Sequence, residues 1–317
     1  MRAKKRKMWQ KITPRALKTL QKHYERFEPF SDFNALSLWG YMSDGGRWLE
    51  VGDTILYELT DYHDNSRYLS VFGLKDSYRA LQHAIDHVSV LDGTLVLRHV
   101  PKPTAQLLKG MPGITRVAKD ASNNDYILSV DRLHKLQTPK LRKKAAGIQK
   151  LRDLHPSLET LVVDHTSEKI KKQVMRVFSI WVKQSKSQDW EIEHKALTNL
   201  LSLDAPSLVL VATYDGPKMI AFTVNEVEKN RYYQGHFGKA NRNYPYLGTY
   251  IEHETAKIMH VAYHSRYMNL QQDLGLTGLS DYKRSWDPIR YLYKFVVELD
   301  VKSYDPTAVI GGGEQES

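Results

Sequence analysis

The sequence predicts an α+β protein made of two similar units, each a mixed, mostly antiparallel sheet flanked by helices. Segments of strand and helix character recur in one order twice, offset by roughly 150 to 160 residues, which points to a duplicated unit rather than two unrelated domains. Strand-like runs arrive in threes separated by short polar turns. A chain of 317 residues, 41% apolar and 26% charged, is long enough for two cores and too apolar for wholesale disorder.

In the first half, Ser31 or Asp32 is placed to cap a helix that follows at once. Strands are expected at Arg47 to Val51, Thr54 to Leu59 and Tyr68 to Phe72, divided by Gly52 and Asp53 and by the polar stretch Asp61 to Ser66. A helix from Asp76 to Val90 carries Tyr78, Leu81, Ile85 and Val88 at helical spacing and ends at Asp92 and Gly93. Strand Thr94 to His99, a helix from near Pro103, and strands near Ile114 to Val117 and Tyr126 to Val130 complete it. The second half opens with a basic helix, about Pro139 to Leu154, and strand Leu158 to Val163. An amphipathic helix from Ser167 follows, with Ile170, Val174, Val177, Phe178 and Trp181 along one face, then a shorter helix through His194 to Leu201. A meander of Ser207 to Tyr214, Met219 to Asn225 and Arg231 to Phe237 turns first at Asp215 and Gly216. Helix Thr249 to Ala262, strand Tyr267 to Leu270, a short helix near Leu279 to Arg284, the stop at Pro288 and strand Tyr291 to Glu298 close the unit. The expected boundaries are therefore 1–137 for the first unit with its basic N-terminal helix, 138–156 for the linking helix, 157–300 for the second unit, and a flexible tail at 301–317, glycine-rich from Ile310.

Charge is patterned. Residues 1–25 hold nine Lys and Arg against Glu25 alone, and residues 132–152 hold eight with no acid, together more than the whole surplus of +10. Such segments, with Lys4, Lys5, Arg6 and Lys7 in the first and Lys140, Arg142, Lys143 and Lys144 in the second, suit a phosphate polyanion such as RNA or an anionic lipid surface. With no cysteine there is no disulfide framework, thiolate metal site or thiol nucleophile. No apolar run has the length of a membrane span, and the N-terminus lacks a secretory pattern, so a cytoplasmic address with at most peripheral contact at the inner membrane surface is expected.

Two places could hold chemistry. The loop Gly238 to Gly248 leads from a meander into a helix start, where unpaired N–H groups favour a phosphate or an oxyanion, and Lys239 and Arg242 add charge there. This order resembles the GNAT-type acyltransferases, yet the loop lacks their Arg/Gln-x-x-Gly-x-Gly/Ala pattern, which disfavours an ordinary acetyl-CoA enzyme. The second place is Tyr267 to Pro288, with Asn269 at a strand end, Asp273 in a glycine-containing loop, and Tyr282 and Lys283 on the short helix that follows. His236, His253, His260 and His264 lie in the same half without a nearby carboxylate set, so they read as core or surface residues and no metal is expected.

The run Asn269, Asp273-Leu274-Gly275, Gly278-Leu279, Lys283 and Pro288 resembles the phosphatidylglycerol lysyltransferase C-terminal domain family, built from two GNAT-like units. Asn124 to Leu136, the basic helix from Lys140 to Leu151, Met219 to Val224 and His236 to Lys239 are similar to that family in the same order, over roughly residues 30 to 298. Ser280 stands where the family pattern has Arg, and Ala145 and Ala146 replace its Arg-Asn pair. Unlike the full-length lipid-modifying enzymes, these 317 residues are not expected to include a transmembrane flippase region.

The resemblance implies transfer of an aminoacyl group from aminoacyl-tRNA to an acceptor, often a lipid hydroxyl, with no cofactor. It implies Asp273 and Lys283 as catalytic candidates. Asn269, Lys239, His236, Arg242, Gly248 and Tyr282 would line the substrate site, and the basic segments would track tRNA. Two alternatives remain open: a GNAT-type N-acyltransferase using acyl-CoA, and a non-catalytic module binding RNA or anionic membrane through its basic stretches.

Overall fold

A computed structural model of the chain describes residues 8–42, 44–61, 66–88, 93–185 and 189–308. Lys4, Lys5, Arg6 and Lys7 and the glycine-rich end lie outside them, as does Asp92. Two compact units are present: one runs to Asn124 and resumes at Leu292, and the other is Asp125–Tyr291.

The first unit begins with β1 (Gln10–Lys11) and α1 (Pro14–Tyr24), whose buried residues Ala16, Leu20, His23 and Tyr24 recur at helical spacing. Arg15, Lys18 and Lys22 occupy the exposed face of α1. A short 3₁₀ turn at Ser31–Phe33 precedes α2 (Ala35–Met42). Neither Ser31 nor Asp32 caps α2; Asn34 Oδ1 does, accepting from Ser37 N at 2.9 Å. Asp32 is instead buried as an ion-pair partner of the fully buried Lys294, with His99 Nδ1 3.2 Å from its other oxygen. Next come β2 (Arg47–Val51), β3 (Thr54–Thr60), β4 (Arg67–Phe72), α3 (Ser77–His87), β5 (Thr94–Pro101), α4 (Lys102–Leu108) and β6 (Ile114–Lys119).

The second unit starts at β7 (Asp125–Ser129), before the expected boundary at 137, and continues through α5 (Val130–Lys135) and α6 (Pro139–Leu154). There follow β8 (Leu158–Val163), α7 (Glu168–Ser185), α8 (Trp190–Leu201), β9 (Leu208–Asp215), β10 (Lys218–Val227) and β11 (Tyr232–Ala240). Then come α9 (Leu247–Tyr263), β12 (Tyr267–Asn269), α10 (Thr277–Arg284) and β13 (Arg290–Leu292). The last strand, β14 (Lys294–Asp300), belongs to the first sheet.

Among the described residues the strand orders are β1-β2-β3-β4-β5-β14-β6 and β13-β7-β12-β11-β10-β9-β8. Each sheet contains a parallel pair amid antiparallel ones, β4 with β5 and β11 with β12. Each half of the sequence therefore gives its last strand to the other half's sheet, which displaces the expected division. Residues 301–308 are not loose either: the Tyr304 hydroxyl donates to Tyr78 O at 3.1 Å, and the two rings lie 5.0 Å apart.

Candidate active site

In the second unit β11 and β12 pair in parallel only over Tyr232–Gln234 and Tyr267–Asn269. Beyond this β11 continues to Ala240 paired with β10, while the chain after Asn269 leaves the sheet as a loop. The sheet thus opens between two strands, and the family-like segment folds around the opening.

Three side chains fix that loop. Buried Asn269 donates to Asp125 Oδ2 at 3.1 Å and accepts from Gln271 N at 2.7 Å. Asp273, also buried, accepts from Gly275 N at 2.9 Å and, through its other oxygen, from the Tyr126 hydroxyl at 2.5 Å. Ser280 Oγ lies 3.3 Å from that same hydroxyl. Burial, followed by the bond to Asp273, raises the Tyr126 phenol above its ordinary pKa. Lys283 directs its ammonium at the carbonyls of Leu270, at 2.6 Å, and Gln272, at 2.5 Å. The structure therefore brings Asn269, Asp273 and Lys283 to one loop, each engaged in shaping it.

The other expected residues divide. Lys239 does not face open solvent: its ammonium pairs with both Glu193 oxygens, at 2.8 and 2.9 Å, and lies 3.4 Å from the centre of the Trp181 ring. Burial lowers its pKa, and Glu193 pulls it back up. His236 Nε2 lies 3.1 Å from Glu226 Oε2 in the core. Arg242 is anchored to the end of α7, with its N–H on Gln184 Oε1 and its guanidinium on Gln184 O. Gly248 is exposed in the first turn of α9, where Tyr246 occupies the cap position at φ +66°.

On α6, Lys140, Arg142 and Lys143 are exposed, and Lys140 lies 3.7 Å from Asp287. Lys144 is different, because its ammonium turns inward onto Trp286. Sequence reading passed over Tyr126, Asp125, Trp286 and Glu252. For Glu252 a signal existed: it stands among Tyr250, Ile251, Thr255 and Ala256 on the buried part of α9, where a carboxylate is costly. Burial pushes it up to about 7, against the charges of Lys144 and Lys283.

Paired sheets of this order, with a parallel pair parting beside a helix start, define a tandem GNAT-like α+β fold. Residues 67–298 match the family described as phosphatidylglycerol lysyltransferase, C-terminal, and the chain belongs to that transferase family. A conserved protein of unknown function from Bacteroides thetaiotaomicron is similar in fold, with TM-score 0.79 and 19% identity over 93% of this chain and 100% of that one. L-PGS from Bacillus licheniformis aligns at TM-score 0.63 and 12% identity, over 93% of this chain and 94% of that one. The C-terminal domain of a proposed lysylphosphatidylglycerol synthetase from Agrobacterium fabrum aligns at TM-score 0.61 and 11% identity, over 90% and 91%. No curated protein matches the sequence. No helix among the described residues is long and apolar enough to cross a membrane.

Proposed function

We propose that the chain moves an aminoacyl group from aminoacyl-tRNA to an acceptor such as a phosphatidylglycerol-type lipid hydroxyl or another small hydroxyl or amine. The observation that carries this reading is the family match over residues 67–298, which spans the opened strand pair and the loop held by Asp273 and Lys283. An aminoacyl ester is already activated, so the protein has to position it, stabilise the developing oxyanion and pass one proton. The acceptor oxygen or nitrogen bonds to the ester carbonyl carbon. The bond from that carbon to the ribose oxygen breaks, and the acceptor's proton ends on the ribose oxygen.

In this reading Asp273 and the Tyr126 hydroxyl handle the proton, since their 2.5 Å bond already joins an acceptor to a donor at the opening. Lys283 supplies positive charge beside the opening and fixes the carbonyls of Leu270 and Gln272. The exposed Lys140, Arg142, Lys143 and Lys150 of α6 follow the RNA backbone. Nothing in this scheme calls for a cofactor.

Binding is the test. Charged tRNA should bind more tightly than the same tRNA deacylated, and affinity for both should fall steeply with salt. Equal binding of the two would favour the RNA-binding module, and preference for acetyl-CoA would favour the acyl-CoA enzyme.

A further inference from the structure

Lys144 stands in the exposed basic run of α6, yet its ammonium is held inside the second unit. Nζ lies 4.0 Å from the centre of the Trp286 ring and 5.8 Å from that of Tyr282, and it donates to Ser285 Oγ at 2.9 Å. Two aromatic faces and a hydroxyl acceptor are a receptor for a primary ammonium. Burial pulls the Lys144 pKa below the ordinary lysine value, and the nearby carboxylate of Glu252 raises it.

Glu252 completes the receptor from α9. Burial raises its pKa, yet its side chain remains partly open to water. It accepts no hydrogen bond from the described residues, an unusual state for a sunken carboxylate. Toward β11 the carboxylate meets a glycine. Gly238 is exposed within β11, and a Cβ there would stand 2.6 Å from Glu252 Oε1, so the carboxylate lies close against this residue. The charged and titratable groups facing Glu252 are Lys144 of α6, Lys283 and Tyr282 of α10, and Tyr233 of β11.

We infer that the cluster of Glu252, Tyr282, Trp286 and Ser285, beside Gly238, is a primary-ammonium subsite for the donor's aminoacyl group, occupied in the free protein by Lys144. This rests on the aminoacyl-tRNA reading. The lysine stem is flexible and its neighbours Arg142 and Lys143 face solvent, so phosphates docking on α6 draw Lys144 outward and vacate the cage. The aminoacyl ammonium then exchanges for the lysine ammonium, with no bond made or broken.

The probe is L-alanine methyl ester, titrated calorimetrically at neutral pH into the full chain, with its N-acetyl derivative as the form lacking the ammonium. Lys144→Gln should bind the amine ester about ten-fold more tightly than wild type, Glu252→Gln at least about ten-fold more weakly, and none should bind the N-acetyl ester. Equal affinity of Lys144→Gln and wild type, or equal binding of the two esters, would overturn the subsite. Circular dichroism checks folding. If Lys144→Gln does not fold, wild type against Glu252→Gln decides the question, and equal affinity there overturns it. Ester binding in the expected pattern alongside indifference to tRNA charging would leave the subsite standing and remove the donor assignment. Transfer from charged tRNA that Glu252→Gln leaves unaltered would do the reverse.

Discussion

Lys294 is fully buried in the first unit, and what makes that tolerable is Asp32, with Ser31 and His99 beside it. Burial alone would raise the Asp32 pKa, but the charges of Lys294 and His99 outweigh it and hold the carboxyl below its usual range. A depressed carboxylate stabilises above its unfolded pKa, and that contribution is lost as pH falls through the folded value. Replacing Lys294 by Met strands Asp32, so urea unfolding at pH 7 should show a loss of about 3 to 5 kcal/mol, much reduced at acid pH where Asp32 protonates. Glu252 has the opposite sign. Its pKa is raised to about 7, so the stability of its neutral form is present below the unfolded carboxylate pKa and disappears as pH rises through about 7. Glu252→Gln should therefore be more stable than wild type at pH 8, by up to ~3 kcal/mol in urea unfolding, with no gain at pH 4. Asp273 and Lys283 were legible in the sequence because one short segment carries both. Tyr126 was not, since its meaning comes from Asp273 far along the chain, and for Glu252 the sequence signals only a carboxylate among buried α9 residues, not its neighbours Lys144 and Lys283.

At the scale of elements, α6 and α9 meet through a glycine. A Cβ at Gly147 would stand 2.5 Å from the Tyr246 ring, and Tyr246 is itself held at φ +66° before α9. Gly147→Val should cost about 1 to 3 kcal/mol by overpacking, and Tyr246→Ala in the same chain should recover part of it; a double-mutant cycle measures the coupling. The order of strands and helices was readable from turn residues and apolar spacing. Sheet membership was not. Strands β7 and β14 are short apolar runs with nothing local to say which sheet receives them, and the exchange follows from long-range pairing of β14 with β5 and β6 and of β7 with β12. The helix cap was misplaced for a related reason: Asp32 has good capping chemistry, but a buried lysine 262 positions later takes it.

Across the whole molecule, the net charge of +10 is the property that bears on binding the tRNA proposed as donor. Replacing Lys140, Arg142, Lys143 and Lys150 by Gln should weaken tRNA binding and flatten the plot of log affinity against log salt, by a slope of about one for each phosphate contact removed. Lys144 is left out of that set because its ammonium faces Trp286 rather than solvent. The absence of cysteine was plain from composition alone, whereas the family resemblance needed several collinear motifs, and the family match over residues 67–298 agrees with it.

The most direct measurement is of the donor itself. Bulk tRNA charged with radiolabelled amino acids is incubated with the full chain and phosphatidylglycerol vesicles, and label remaining on tRNA is followed against label extracted with the lipid. The account predicts loss of label from tRNA faster than uncatalysed ester hydrolysis, matched by label in an acceptor fraction, and slowed about 100-fold or more by Asp273→Asn. Label leaving tRNA only at the uncatalysed rate, with any acceptor and with wild type and Asp273→Asn alike, would contradict it.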